Sequence, residues 1–261
     1  MPTVPGLEPA KFRYDCAPSS STDAASVVLL PGLFAGEWIW DPTTARLQAE
    51  AFGVIRLLDP IAALDEAGSI GELRAGLRDV LDELSMERCT LAGNSLGGLV
   101  ALDFARHYPD RVHSLVVSGA PGLEPDINLG VGVPRRGVTR EFLERLVEAL
   151  FHDPSCVTEE MYERTAALLA QRRSFHNIAR ALRAARAYPL HDVLTEIRAP
   201  VLLVWGQNDR VTPATYWEPW ARLLSGFELR TIPRCGHSPM VERPEVFNEL
   251  IVEFLRRQWE R

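Results

Sequence analysis

The sequence predicts an α/β fold: a mostly parallel, doubly wound sheet with a helical segment inserted into it. Short continuous apolar runs end at turn residues, and amphipathic helical patterns alternate with them. That alternation stops between residues 122 and 190, where only helical periodicity is left.

In order along the chain, residues 11–16 fit a short edge strand, followed by a polar loop at 17–23. Val27, Val28, Leu29 and Leu30 form an apolar run closed by Pro31 and Gly32, the pattern of a strand buried on both faces. A second run, residues 53–58, stops at Asp59 and Pro60. Ile70, Leu73, Leu77, Val80, Leu81 and Leu84 then recur at helical spacing, and Ser69 with Glu72 makes a capping box in front of them. A strand at 89–92, a helix at 96–107 and a strand at 112–117 continue the rhythm. In the interruption, Phe142, Leu143, Leu146, Val147 and Leu150 make one apolar face, Met161, Thr165, Leu168 and Leu169 a second, and Ile178, Leu182 and Ala185 a third. The alternation resumes with a strand at 200–205, a helix at 214–224, a strand at 227–232 and a helix at 244–259. The expected organisation is a core of residues 1–121 and 191–261 carrying a helical cap, residues 122–190.

A chain of 261 residues with 46% hydrophobic and 24% charged residues can bury a substantial core unaided. Its net charge of −7 argues against nucleic acid or an anionic membrane as partner. Cys16, Cys89, Cys156 and Cys235 are scattered, which suits free thiols in a reducing compartment and not a zinc site. No secretory signal and no uninterrupted apolar stretch of about 18 residues is visible, so a cytoplasmic protein without membrane insertion is expected. No metal and no cofactor is expected, and the sequence leaves a homo-oligomer open.

The sharpest local signal is Gly93-Asn94-Ser95-Leu96-Gly97-Gly98, placed after an apolar strand and before a helix. Gly-x-Ser-x-Gly in that setting presents the serine on a tight, strained turn at a helix N-terminus. Ser95 is the candidate nucleophile and the Leu96 N–H a candidate oxyanion donor. The pattern lacks the Lys of a phosphate-binding loop. A serine hydroxyl needs a base, and the base an orienting acid. Asp209 follows the apolar run Val201-Leu202-Leu203-Val204-Trp205. Of six histidines, His237 alone falls in a loop after a core strand, where open α/β sheets meet ligands. His107 and His113 read as structural. Val117-Ser118-Gly119-Ala120 supplies no acid after the preceding strand, which leaves Asp209 in that role.

With these residues in place, the chain resembles the α/β-hydrolase superfamily over nearly its whole length. The motifs are Leu30-Pro31-Gly32-Leu33-Phe34, the Ser95 turn, Trp205-Gly206-Gln207-Asn208-Asp209-Arg210-Val211-Thr212-Pro213 and Cys235-Gly236-His237-Ser238-Pro239. The resemblance implies a second oxyanion donor after the first buried strand, the N–H of Leu33 or of Phe34. Pro31 stands where relatives usually have His. It also implies a cap over Ser95, with Phe34, Trp38, Phe142 and Leu146 against a small-molecule substrate in a dry apolar pocket. One arginine among Arg172, Arg173, Arg180, Arg183 and Arg186 could meet a substrate carboxylate. The expected reaction is hydrolysis of a small carboxylic ester through an acyl-enzyme. The alternatives are a carbon–carbon bond hydrolase of a diketone-type substrate and a non-catalytic ligand receptor. Carbon–carbon hydrolases of this kind usually carry Trp after the histidine, whereas Ser238 stands here.

Overall fold

Alternate side chains of the apolar runs feed two separate cores. In a strand, successive residues point to opposite faces, so a run without polar interruption suits a sheet covered on both sides. A computed structural model describes residues 11–17, 25–64, 68–123 and 138–259, without the side chains of residues 172, 173 and 175. The strands are β1 (Tyr14–Ala17), β2 (Ser26–Leu30), β3 (Gly53–Leu57), β4 (Cys89–Asn94), β5 (Val112–Ser118), β6 (Val201–Gly206) and β7 (Phe227–Ile232). They lie in the order β1-β3-β2-β4-β5-β6-β7, all parallel except β1, which runs antiparallel to β3.

Helices α1 (Asp41–Ala49), α2 (Ile70–Glu83) and α3 (Leu96–His107) come from the first half of the chain, and α4 (Arg140–Leu150), α5 (Glu159–Leu169) and α6 (Arg172–Arg186) follow β5. The second half adds α7 (Leu190–Glu196), α8 (Glu218–Leu223), α9 (Pro239–Glu242) and α10 (Pro244–Trp259). Val28, Leu30, Leu91, Val117 and Leu203 pack toward α2 and α3, while Val27, Leu29, Ala92, Val116 and Leu202 pack toward α1 and α10. Buried Asp103 on α3 takes Arg74 of α2 at 2.9 Å and the hydroxyl of Tyr188 just beyond α6, so two helices and the segment after α6 share one charge-assisted contact.

Most of the expected elements form within a residue or two of their predicted bounds. The edge strand is displaced to Tyr14–Ala17, and most of the loop read at 17–23 lies outside the described residues. The helix expected at 214–224 is broken into a turn of 3-10 helix, Ala214–Tyr216, and the short α8. Pro219, second in α8, has no N–H to offer the preceding turn, so a continuous helix cannot run through it. The interruption holds α4, α5 and α6, while its beginning, residues 124–137, lies outside the described residues. Among the described residues, no helix is long and apolar enough to cross a membrane.

The capping box is complete: the Ser69 hydroxyl accepts from Glu72 N at 3.2 Å, and Glu72 Oε2 accepts from Ser69 N at 2.8 Å. Ser69→Ala should lower the unfolding free energy by about 1 kcal/mol, with an unchanged denaturant m-value. Urea titrations that leave the midpoint where it was would show that the cap contributes nothing.

Candidate active site

Each candidate side chain leaves the carboxyl end of a parallel strand. Ser95 follows β4, Asp209 follows β6 and His237 follows β7. β2 lies between β3 and β4, so successive connections run in opposite directions from it. Open α/β sheets bind ligands at such a switch point.

Ser95 has φ 54° and ψ −123°, a left-handed conformation that a non-glycine residue adopts only where its surroundings enforce it. Its N–H is held by the carbonyl of Ser118 at the end of β5, at 2.7 Å. Room for the turn comes from backbone contact: a Cβ on Gly97 would stand 2.4 Å from the carbonyl oxygen of Pro31. α3 begins at Leu96, whose N–H has no partner in the helix ladder and opens beside Ser95. Leu33 and Leu96 line the same cavity as Ser95 and His237.

Asp209 is 5% exposed and His237 4%. Oδ1 of Asp209 accepts from the N–H groups of Val211 (2.9 Å) and Thr212 (3.0 Å). Oδ2 accepts from the Thr212 hydroxyl (2.8 Å) and lies 2.9 Å from His237 Nδ1. With Nδ1 donating to the carboxylate, Nε2 is the acceptor nitrogen of the ring. Burial pushes the Asp209 carboxyl up, but the attraction and hydrogen bond of His237 and the hydrogen bonds from Thr212 outweigh it. The group is held below its ordinary value. Thr212 is fixed in turn, because its carbonyl accepts from the indole of fully buried Trp205 at 2.6 Å.

Sequence reasoning missed several residues that hold this arrangement. Gly119, at φ +61°, lies against the imidazole: a Cβ there would stand 2.8 Å from His237 Cε1. In Val117-Ser118-Gly119-Ala120 the missing acid is the visible signal, but the glycine itself is what admits the ring. Asn94 donates to the His237 carbonyl at 3.2 Å. Glu242, 3% exposed, accepts from Gly236 N (2.7 Å), Asp153 N (2.7 Å) and His152 N (3.2 Å). The N–H of His237 itself donates to the carbonyl of Leu150 at 2.7 Å. The end of α4 is therefore tied to the histidine loop through four hydrogen bonds. The usable signals were a carboxylate directly after the apolar stretch Pro239-Met240-Val241, and a Thr three residues after an Asp, which is turn-capping spacing.

Of the residues expected against substrate, Phe34, Trp38 and Leu146 line a second cavity, and Phe34 also lines the first. Phe142 lines neither of these cavities; it is buried in the core cluster with Leu143 and Leu168, so its ring is covered by protein packing. His107 Nδ1 lies 2.8 Å from the Asp103 carbonyl oxygen, and His113 stacks on Trp259. Arg180 lies against Gly68, while Arg183 and Arg186 are exposed; none of these three lines either cavity. The side chains of Arg172, Arg173 and Phe175 lie outside the described residues.

Two outcomes are expected. The stability that ionised Asp209 contributes is fully present above the ordinary carboxylate pKa of about 3.9 and is lost as pH falls through its lower folded value. Urea melts of wild type and Asp209→Asn should therefore differ equally at pH 7 and pH 5, then converge in more acidic solution. Convergence already at pH 6 would contradict the depressed carboxyl. Glu242→Gln replaces one acceptor oxygen by an amide that faces a backbone N–H, and should cost roughly 1–3 kcal/mol of stability. A thermal melt superimposable on wild type would show that the three N–H groups do not need the carboxylate.

A profile of the alpha/beta hydrolase family matches residues 27–250. A 2-hydroxy-6-oxononadienedioate/2-hydroxy-6-oxononatrienedioate hydrolase of Cupriavidus pinatubonensis is 31% identical, over 94% of this chain and 91% of its own. An enzyme of the same name from Burkholderia vietnamiensis is 34% identical over 73% of this chain and 70% of its own. Among solved structures, a meta-cleavage product hydrolase of Pseudomonas fluorescens superposes with a TM-score of 0.79 at 21% identity, covering 95% of both chains. A thermophilic esterase of Thermogutta terrifontis gives 0.73 at 23%, covering 95% of this chain and 94% of its own. The fold is common to both activities. With its matching profile, its parallel sheet and its serine turn after β4, the chain belongs to the alpha/beta hydrolase family.

Proposed function

We propose that the chain hydrolyses a carbon–carbon bond beside a ketone in a diketone-type substrate, with Ser95 as nucleophile, His237 as base and Asp209 as orienting acid. The observation that carries this reading is the similarity along nearly the whole chain to relatives named as hydroxy-oxo-dioate hydrolases. It favours the carbon–carbon reaction over the ester hydrolysis expected from sequence, and the site geometry suits both. The helices between β5 and β6 serve as the cap of the core.

The chemistry follows from the site. Nε2 of His237 takes the Ser95 proton as Oγ adds to the ketone carbon, and the oxyanion rests on the N–H groups of Leu33 and Leu96. Collapse of the adduct breaks the carbon–carbon bond. The electron pair passes into the conjugated system of the leaving half, and the imidazolium returns its proton to that carbon. Water, activated by the same imidazole, then cleaves the acyl-serine, so one water is consumed and one carboxylic acid and one shortened ketone or enol are released. An alkyl carbanion is far too poor a leaving group without that conjugation, which is why the substrate must be vinylogous.

A second reading, ester hydrolysis on the same three side chains, is favoured by Ser238, which stands where carbon–carbon hydrolases usually have Trp. The two readings separate on a substrate panel. A coloured dienoate ring-fission product should be turned over, and Ser95→Ala should slow it by on the order of 10⁴-fold or more. Turnover of esters alone would transfer the assignment to the second reading. Undiminished turnover by Ser95→Ala would remove the nucleophile, and failure of a fluorophosphonate to label Ser95 would favour a receptor.

A further inference from the structure

The side chain of Asn177 on α6 is 3% exposed and meets main chain. Its Nδ2 donates to the carbonyl of Ala62 at 3.0 Å and to that of Leu64 at 2.6 Å. Only the NH2 end of the amide can donate to a carbonyl, so both of its protons go to that one segment. The segment follows β3, and within it Ile61–Ala63 form a single turn of 3-10 helix. So short a turn leaves carbonyls outside any ladder, and buried ones need a donor from elsewhere. Asn177 supplies it to Ala62 from 115 residues further along the chain.

The same turn holds the loop of the second oxyanion donor. The N–H of Ile61 donates to the carbonyl of Gly32 at 3.4 Å. That carbonyl and the N–H of Leu33 belong to one planar trans peptide, so they point in opposite directions and rotate together. Fixing the carbonyl therefore fixes the aim of the N–H. Gly32 packs directly on the nucleophile, since a Cβ there would stand 3.2 Å from Ser95 Cβ. At 3.4 Å the Ile61 bond is long, and a small retreat of the turn would break it. α6 is placed to prevent that retreat. Ala181 and Ala185, one and two further steps along the helix face that carries Asn177, line the cavity of Ser95 and Leu33.

We propose that Asn177 is a positioning residue: through the Ile61 turn it holds the Gly32–Leu33 peptide in the orientation that lets the Leu33 N–H stabilise the oxyanion. The inserted helices then take part in the acyl-transfer step as well as enclosing the substrate. The proposal rests on the hydrolase reading, with Leu33 as a donor, and holds for carbon–carbon and ester substrates alike.

The test breaks each link separately. Asn177→Leu keeps the volume and removes both donated hydrogen bonds. Ile61→Pro removes the N–H that reaches Gly32. Pro60, at φ −57° and ψ 138°, already has the backbone that a following proline requires, and the first position of a helical turn accepts one. Ile61→Ala, which loses more side chain but keeps the N–H, is its reference. All are assayed on the ring-fission ketone and on p-nitrophenyl butyrate. Asn177→Leu should lower kcat roughly 10- to 100-fold with KM held within about threefold, and Ile61→Pro should fall at least about tenfold below Ile61→Ala. The Ki of a trifluoromethyl ketone, whose adduct with a serine carries the oxyanion, should rise by the factor by which kcat/KM falls. A merely structural amide would lower the melting temperature and leave kcat and this Ki at wild-type values. Wild-type kcat and Ki in folded Asn177→Leu, a change confined to KM, or Ile61→Pro equal to Ile61→Ala would each overturn the proposal and leave the hydrolase reading standing. Should Asn177→Leu fail to fold, the Ile61 pair decides alone. Wild-type protein that turns over neither substrate, with Ser95 unlabelled by a fluorophosphonate, would remove both.

Discussion

The buried hydrogen bond between Asp209 and His237 is the contact on which the rest of the site depends. A carboxylate 5% exposed is costly unless its oxygens are occupied. Here they are: two backbone N–H groups, one hydroxyl and one imidazole take the available lone pairs. The imidazole is thereby fixed in both tautomer and tilt. Trp205, near the carboxyl end of β6, holds Thr212 in place, so the orientation of the ring is referred back to that strand.

Around that contact, main chain does what side chains usually do. The serine turn hangs from the carbonyl of Ser118, the histidine loop from that of Leu150, and Gly119 gives the ring a flat surface without a Cβ. Precise sites are built on rigid elements whose supports are themselves locked. Glu242 extends the support to α4, since the carboxylate that fixes Gly236 also fixes Asp153 and His152. The end of α4 and the loop that carries His237 are in this sense one mechanical unit.

The sheet was legible because its inner strands are buried on both faces and read as continuous apolar runs. The serine turn was legible because strand, turn, glycine spacing and helix all point the same way, and the placement of Asp209 and His237 beyond β6 and β7 because each follows a strand that ends at a turn. Phe142 was not: helical periodicity reports that a face is buried but not whether a neighbouring helix or a ligand covers it. Glu242 and Gly119 were missed for a related reason. Their function lies in contacts with residues far away in sequence, and neither has a local pattern beyond a carboxylate among apolar residues or a glycine at a strand end. The edge strand was displaced because a short, partly exposed strand has little periodicity to fix its register.

The departure and return of the inserted helices lie close together. A Cβ on Gly122 would stand 3.1 Å from the Leu190 side chain, although the two residues are separated by the whole insertion. The connection from β5 to β6 is thus already closed at its base, as a crossover between adjacent parallel strands must be. Whatever is spliced in above that neck adds no torsion to the sheet and little loop entropy to its folding. Such an architecture uncouples the two layers: the length of the inserted segment is set by its own packing and by its seams at Leu150 and Glu242, and the register of β5 against β6 is set below it.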